Sequence, residues 1–234
     1  MKAIILAAGQ ARRLYPLTKD IPKSLLPIGG RTILARQVAA LRAVGIDEIV
    51  VVVGHHEEKV REALGTSVRY VYNRYFAATA DIVSLWCARR HMRGPFVYLH
   101  GDVLMTRTIL ERLVREPAGD VQLAVDVGPA DAEAEKIRIR GGRVTAIGKA
   151  LAADADGEFI GVARVSGAAA PQFRLELEAL VDAGHIEQQC VETIQRLIDA
   201  GTEVTVSAVG DEPWTEVDFA EDVEDAVHRA ALFA

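Results

Sequence analysis

Hydrophobic positions in the first part of the chain come in two alternating kinds. Short, nearly continuous β-branched runs at Lys2 to Leu6, Ile49 to Val53, Val68 to Tyr72 and Phe96 to His100 read as strands. Between them, apolar residues recur at helical spacing over Ile33 to Val44, His56 to Leu64 and Asp81 to His91. Continuous apolar runs suit strands covered on both faces, so the pattern predicts βαβ units around a parallel sheet. Beyond Asp120 the pattern changes. Lys136 to Arg140 and Arg143 to Ile147 flank Gly141-Gly142, a pair that tolerates positive φ at both positions of a two-residue hairpin turn. A hairpin makes the sheet mixed. Further strands are predicted at Val121 to Val127, Glu158 to Val165 and Val204 to Val209, and further helices at Ala169 to Ala183, Val191 to Ala200 and Phe219 to Phe233.

No Pro/Ser linker, repeat or low-complexity tract divides the chain, although Ala150 to Gly157 reads as a flexible loop. The expectation is one domain over residues 1–234. Its class is α/β, a three-layer Rossmann-like arrangement of a mixed, mostly parallel sheet with helices on both faces. Half of the 234 residues are hydrophobic, enough for one sizeable core.

A net charge of -6 argues against nucleic acid as a partner, because a phosphate backbone requires a basic face. Cys87 and Cys190 are the two cysteines, far apart and without metal-type spacing, so neither a disulfide framework nor a zinc site is indicated. That cysteine usage predicts a reducing cytoplasm, and no run of about 18 apolar residues is present, which predicts no membrane span.

The chemistry concentrates where the first strand ends. Leu6-Ala-Ala-Gly-Gln-Ala-Arg-Arg-Leu14 is followed by Pro16-Leu-Thr18 and by Pro22-Lys-Ser-Leu-Leu-Pro27. Ligands of open α/β sheets bind at the carboxyl edge, and small residues there let backbone N–H groups approach a phosphate chain. Arg12 and Arg13 add charge that grips phosphate oxygens. A glycine loop alone also describes dinucleotide-binding and P-loop proteins. There is, however, no G-x-G-x-x-G and no G-K-[ST], so an NAD-linked oxidoreductase is disfavoured.

Two acidic segments complement this loop. His100-Gly-Asp102 follows an apolar strand, and Trp214-Thr-Glu216-Val-Asp218 has the form W-x-E-x-D, whose two acids share one side of an extended segment. Mg2+ takes hard oxygen ligands from one or two carboxylates plus substrate phosphates, which makes these acids metal candidates. Asp218 has an alternative role as the cap of the helix that follows. His55-His56 lacks a third ligand at suitable spacing.

These residues resemble the signature of the nucleotidyltransferase superfamily that includes sugar-1-phosphate nucleotidylyltransferases and phosphocholine cytidylyltransferases. Its pattern is approximately L-A-A-G-x-G-x-R-L followed by P-K-x-L-x-P, and Ala11 stands where a glycine is usual. Asn73 with Thr79-Ala-Asp-Ile-Val-Ser-Leu-Trp86, Gly148-Lys149 and Gly157-Glu158-Phe-Ile-Gly161 are similar to the phosphocholine-type branch. There the usual Asn-Asn pair reads Ala80-Asp81, which leaves two roles open for Asp81: partner of a cationic amine on the acceptor, or complement to a helix N-terminus.

The resemblance implies a GT-A-like fold and transfer of a nucleoside monophosphate, CMP from CTP, to a small phosphorylated acceptor or phosphonate such as phosphocholine. Catalysis would rest on Arg13 (β- and γ-phosphates), Lys23 (α-phosphate and acceptor phosphate), Asp102 and Asp218, with Mg2+ held by Asp102, Glu216 and Asp218. Nucleotide contacts are implied for Leu6, Ala7, Ala8, Gly9, Gln10, Ala11, Arg12, Arg13, Lys23, Asn73, Thr79, Ser84 and Asp102. Acceptor contacts are implied for Lys23, Asp81, Lys149, Glu158, Gly161 and Glu192. The alternatives are a sugar-1-phosphate uridylyl- or thymidylyltransferase and, from another class, a non-catalytic nucleotide-binding regulatory protein. A homodimer through the Ala-rich C-terminal helices is compatible with the sequence.

Overall fold

In the computed structural model, which describes residues 1–152 and 154–233, the first strand β1 (Lys2–Ala7) lies in the interior of a nine-stranded sheet. Its side chains alternate between two apolar layers, with Ile4 and Leu6 in one and Ala3, Ile5 and Ala7 in the other. That burial on both faces is why the run is continuously hydrophobic. The chain continues through a small hairpin of β2 (Pro27–Ile28) and β3 (Arg31–Thr32), then α1 (Ile33–Ala43), β4 (Glu48–Val53), α2 (Glu57–Leu64), β5 (Arg69–Tyr72), α3 (Asp81–Cys87), β6 (Phe96–His100), β7 (Val103–Met105) and α4 (Arg107–Arg115). The second half comprises β8 (Val121–Val127), β9 (Lys136–Arg140), β10 (Arg143–Ile147), β11 (Gly157–Val165), α5 (Ala170–Asp182), α6 (Val191–Asp199), β12 (Val204–Ala208), β13 (Trp214–Glu216) and α7 (Ala220–His228).

The strand order is β5-β4-β1-β6-β11-β8-β12-β10-β9. β5, β4, β1 and β6 run parallel, and β8 and β12 also pair in parallel. β11 is antiparallel to both β6 and β8, and β10 is antiparallel to β12 and β9. The sheet is therefore mixed, with most strands pointing one way. β9 also pairs with β11, which curls the far end of the sheet back on itself. The predicted hairpin is present, with Gly141 at φ 58° and Gly142 at φ 78°.

Helices cover both faces. Ile82 of α3, Phe173 and Leu177 of α5 and Ile194 of α6 pack with Ile4, Val50 and Tyr98. Leu34 of α1, Val60 of α2 and Ile109 of α4 pack with Ile5, Val51 and Val97. A third, smaller cluster joins Leu14, Leu26 and Ile28 of the first loop region to Leu104, Val217, Ala226 and Phe233. This cluster ties the amino-terminal loop to the end of the chain.

Several elements differ from the sequence pattern. The helix predicted over Asp81 to His91 ends at Cys87 and passes into a 3-10 turn at Arg89–His91. The closing helix predicted over Phe219 to Phe233 also breaks, and a 3-10 turn at Ala230–Phe233 delivers Phe233 into the third cluster. α4 was not anticipated, because its three buried positions, Ile109, Leu110 and Leu113, are interrupted by charged residues. β7 and β13 are too short to show a period, and among the described residues they pair only with each other. Within the predicted loop Ala150 to Gly157, Ala153 lies outside the described residues.

The ends of β1 and β6 approach closely at Gly101, whose N–H donates to the Leu6 carbonyl at 2.9 Å. A Cβ on Gly101 would meet that carbonyl oxygen at 2.5 Å, whereas one on Gly9 would meet nothing within 4 Å. Gly101→Ala is therefore expected to cost about 1–3 kcal/mol of stability and Gly9→Ala less than about 0.5 kcal/mol, read from urea denaturation midpoints.

Candidate active site

A crevice of about 840 Å³ opens along the carboxyl ends of β1 and β6, bounded by β11 and β13. Its floor begins with Leu6, Ala7, Ala8 and Gly9 as the chain leaves β1. The loop that follows is fixed by backbone and side-chain bonds: His55 N–H donates to the Ala8 carbonyl at 3.0 Å, and Thr18 Oγ1 donates to the Ala11 carbonyl at 2.8 Å. His55 Nε2 lies 3.2 Å from the Thr18 carbonyl and His56 Nε2 3.0 Å from that of Lys19, so the histidine pair buttresses the loop. Ala11 takes a left-handed conformation at φ 47°, the backbone shape for which glycine is the unstrained choice.

With Leu14 and Leu26 anchored in the third cluster, the loop turns Arg13 and Lys23 toward the carboxyl-terminal segment. Lys23 Nζ sits 2.6 Å from Asp102 Oδ2 and 2.8 Å from Asp218 Oδ1, while an Arg13 guanidinium nitrogen donates to Asp218 Oδ2 at 2.7 Å. The Arg13 guanidinium also lies over the Phe219 ring, 4.9 Å from its centre. Burial would lower the Lys23 pKa, but the charges of Asp102 and Asp218 outweigh it and push it up to about 12. Burial alone would raise Asp102, yet Lys23 and His100 hold it below the ordinary carboxylate value.

Both acids are placed by neighbours that sequence reasoning missed. Gln37, buried on α1, donates through Nε2 to the carbonyls of His100 and Val103, clamping the turn that carries Asp102. The Asp222 carboxylate accepts the N–H groups of Asp218 and Phe219 at 2.8 and 2.7 Å. Asp222 thus caps α7, and the alternative capping role for Asp218 is replaced by its contacts with Arg13 and Lys23. The Trp214 indole donates to Asp126 at 2.9 Å, holding β13 against the end of β8. An acid three residues into a helix is a readable cap signal; Gln37 had none.

Glu216 completes the acidic side. Burial, followed by the charges of Asp102 and Asp218, pushes its pKa up to about 8. His100, Asp102 and Glu216 bring one ligand atom each within 4.8 Å of one another. Asp102 Oδ1 is buried and makes no hydrogen bond among the described residues. A buried, unsatisfied carboxylate oxygen with the Glu216 carboxylate and the His100 imidazole beside it fits a divalent cation.

The other end of the crevice is built around His100. Its Nδ1 is 4.0 Å from Glu216 and its Nε2 3.6 Å from Asp81 and 3.3 Å from the buried Cys190 sulfur. Gly161, at φ 75°, makes room for the ring: a Cβ there would meet His100 Nδ1 at 2.8 Å. Asp81 opens α3 and accepts the Cys190 N–H at 2.8 Å, so it complements a helix terminus while also facing the crevice. Glu135 and Glu158 line the same end, each raised to about 7, first by burial and then by neighbouring acids. Lys149 lies 3.8 Å from Glu133 on the rim.

Of the residues singled out from sequence, Leu6, Ala7, Ala8, Gly9, Ala11, Arg13, Lys23, Thr79, Asp81, Ser84, Asp102, Lys149, Glu158, Gly161, Glu216 and Asp218 all line this crevice. Gln10, Arg12, Asn73 and Glu192 do not. Arg12 is exposed on the outer side of the loop. Asn73 is 1% exposed and spends its amide on Ser84 Oγ and the Tyr75 N–H, so it supports the wall from behind.

Residues 3–155 match the family described as the MobA-like NTP transferase domain. The bifunctional IPC transferase and DIPP synthase of Rubrobacter xylanophilus is 36% identical over 94% of this chain and 50% of its own length. The CMP-5'-(3-aminopropyl)phosphonate synthase of Streptomyces rubellomurinus is 38% identical over 50% of this chain and 19% of its own. The chain therefore spans half or less of the length of these two relatives. A solved CTP:phosphocholine cytidylyltransferase of Streptococcus pneumoniae shares the fold, with TM-score 0.82, 22% identity and 98% of both chains covered.

Two outcomes are expected from the local physics. Between the ordinary glutamate value of 4.5 and the raised value of about 7, folded Glu135 retains a proton that the unfolded chain has lost, so its contribution to stability falls as pH rises through that window. Glu135→Gln should therefore melt at a higher temperature than the parent at pH 8, by about 2–4 °C, and at the same temperature near pH 4.5, in ligand-free scans. Ala11→Gly trades left-handed strain of about 1 kcal/mol against glycine's extra chain entropy, and should leave stability unchanged or slightly raised in urea denaturation.

Proposed function

Because this chain belongs to the family of MobA-like NTP transferase domains, we propose that it transfers CMP from CTP to a small phosphomonoester or phosphonate, releasing pyrophosphate. In this reading residues 1–234 act as one catalytic domain. The observation that carries it is the convergence of Arg13 and Lys23 with Asp102 and Asp218 beside a small-residue loop at the carboxyl edge of β1. The choice of CTP is supported by the names of the Streptomyces and Streptococcus proteins, which specify a CMP-phosphonate product and a CTP substrate.

An oxygen of the acceptor's phosphate or phosphonate attacks the α-phosphorus, and the bond to the bridging oxygen of pyrophosphate breaks in line with it. A phosphate monoester is already nucleophilic near neutral pH, so the protein is asked for position and charge neutralisation rather than a strong base. Lys23, held between Asp102 and Asp218 on the crevice wall, reduces the repulsion between two anions that must come within about 3 Å. Arg13 grips the outer phosphates and stabilises the departing pyrophosphate. Backbone N–H groups of the loop from Leu6 to Arg13 cradle the chain of phosphates, with Thr79 and Ser84 on the adjoining wall. Asp81, Lys149, Glu158 and Gly161 form the acceptor side. Mg2+ held by Asp102, Glu216 and Asp218 would polarise the α-phosphate oxygens when bound.

The test is pyrophosphate release from CTP, UTP, dTTP, ATP and GTP, each with phosphocholine, aminoethylphosphonate, inositol phosphate and sugar 1-phosphates, in Mg2+. CTP with an alcohol phosphate or phosphonate is expected to give the highest kcat/KM. Highest turnover with UTP or dTTP and a sugar 1-phosphate would overturn the assignment of base and acceptor. Lys23→Ala is expected to lose about 10²–10³-fold in kcat. Near-parental turnover in a variant shown by circular dichroism to be folded removes Lys23 from the mechanism.

A further inference from the structure

We infer a second ligand site, for a small oxyanion that also carries a hydroxyl, such as hydrogenphosphate, in a cavity bounded by Arg31, Arg36, Gln37 and Arg107. The cavity has a volume of about 150 Å³ and shares no lining residue with the crevice. Arg36 and Gln37 reach it from α1, Arg31 from β3 and Arg107 from the start of α4, and Phe233 is on its wall. Pockets for drug-sized ligands run from about 300 Å³ upward, so this one suits a small ion and is too small for a nucleotide.

Its polar lining is cationic. Among the described residues no carboxylate lines the cavity, whereas three guanidinium groups do. Arg36 spends both terminal nitrogens on neutral partners, the carbonyls of Phe233 and Ile28, each at 2.7 Å. Its charge is placed but not opposed. Burial, and after it the like charge of Arg31, lowers its pKa, as expected of a cation short of a counter-charge. Arg107 meets Glu111 on its own helix at 3.1 Å, an exposed pair of small worth. Three like charges around so small a volume repel one another, and an anion relieves them.

Two unsatisfied atoms specify the ligand further. Arg36 Nε, a donor, and Gln37 Oε1, an acceptor, are both buried without a hydrogen bond among the described residues. Gln37 is 3% exposed, and its Nε2 is committed to the carbonyls of His100 and Val103 at 2.8 Å each. The two ends of an amide diverge, so with the nitrogen on that turn the oxygen faces away from it, and the side chain lines the cavity. An unbonded donor and an unbonded acceptor on one wall call for a ligand that both accepts and donates. Chloride and sulfate only accept, and water brings no charge to answer three arginines. Hydrogenphosphate does both: its charged oxygens take the Arg36 Nε–H and face Arg31 and Arg107, and its P–OH donates to Gln37 Oε1.

Occupancy of this cavity is felt in the crevice, because one amide joins the two. Fixing Gln37 Oε1 also fixes the Nε2 end that holds the turn carrying Asp102.

The test is titration calorimetry with inorganic phosphate and, separately, sulfate, at constant ionic strength near neutral pH. Arg13→Ala is measured beside the parent because it weakens phosphate binding in the crevice. Both are expected to bind phosphate with Kd of about 1 mM or tighter. Sulfate should bind at least about 10-fold more weakly, since Gln37 Oε1 stays unpaired. Arg31→Ala combined with Arg107→Ala removes two exposed side chains and should weaken phosphate at least about 10-fold while leaving the urea midpoint unchanged. If the double variant loses its fold, the two single changes carry the same comparison. Arg36 is left in place because it ties Ile28 to Phe233. Hydrogen exchange over residues 100–103 should slow at least about 3-fold with phosphate in Arg13→Ala, and not once the two arginines of the cavity are also removed. Absence of phosphate binding to the parent would overturn the site outright. Affinity unmoved by the cavity changes, or abolished by Arg13→Ala, would put the anion in the crevice and overturn it equally. Equal affinity for sulfate would overturn the hydroxyl-bearing ligand, and an unchanged exchange rate would overturn the link to Asp102.

Discussion

The ammonium of Lys23, held between Asp102 and Asp218, is the contact on which the organisation of the crevice depends. It joins a loop after β1, a turn after β6 and the segment after β13. Two carboxylates brought this close repel each other, and taking ions out of water costs several kcal/mol apiece, so such a cluster contributes little net stability. Its value is positional. A cation is fixed where two carboxylates can also meet a divalent ion, which is the charge arrangement that transfer between phosphates requires.

The scaffold supplies that position at both ends. The parallel half of the sheet ends β1, β4 and β6 side by side, with close backbone contacts at Gly54 and Gly101 that leave no room for a side chain. The curled half carries β9 against β11 and so brings Glu135, Lys149 and Glu158 around the opposite wall. Between the halves stands His100, accommodated by the left-handed Gly161. The third hydrophobic cluster, to which α1 contributes Ile33, converts apolar contact between Leu14, Val217 and Phe233 into alignment of Arg13 with Asp218.

What was readable in the chain was local. Strands buried on both faces announce themselves as continuous apolar runs, and Gly141-Gly142 announces a tight turn because both residues accept positive φ. The loop chemistry from Leu6 to Lys23 was equally plain, since small residues next to basic ones after a strand have few other uses. α4 was hidden because arginines and glutamates interrupt its buried positions, and β7 and β13 because three residues carry no period. Asn73 was assigned to the ligand although its amide serves Ser84 and Tyr75, a distinction that depends on which way one side chain turns.

By itself the sequence determined the α/β layering, the loop at the end of β1 and the identities of the acids and bases available to it, because propensity and periodicity are properties of neighbouring residues. Only the tertiary structure decided which charges meet. Asp218 lies against Arg13 across 205 positions, Asp81 accepts the N–H of Cys190 across 109, and Glu135 Oε2 is buried without a hydrogen bond among the described residues. Pairings of that kind depend on how helices and strands pack at long range, and no local pattern encodes them.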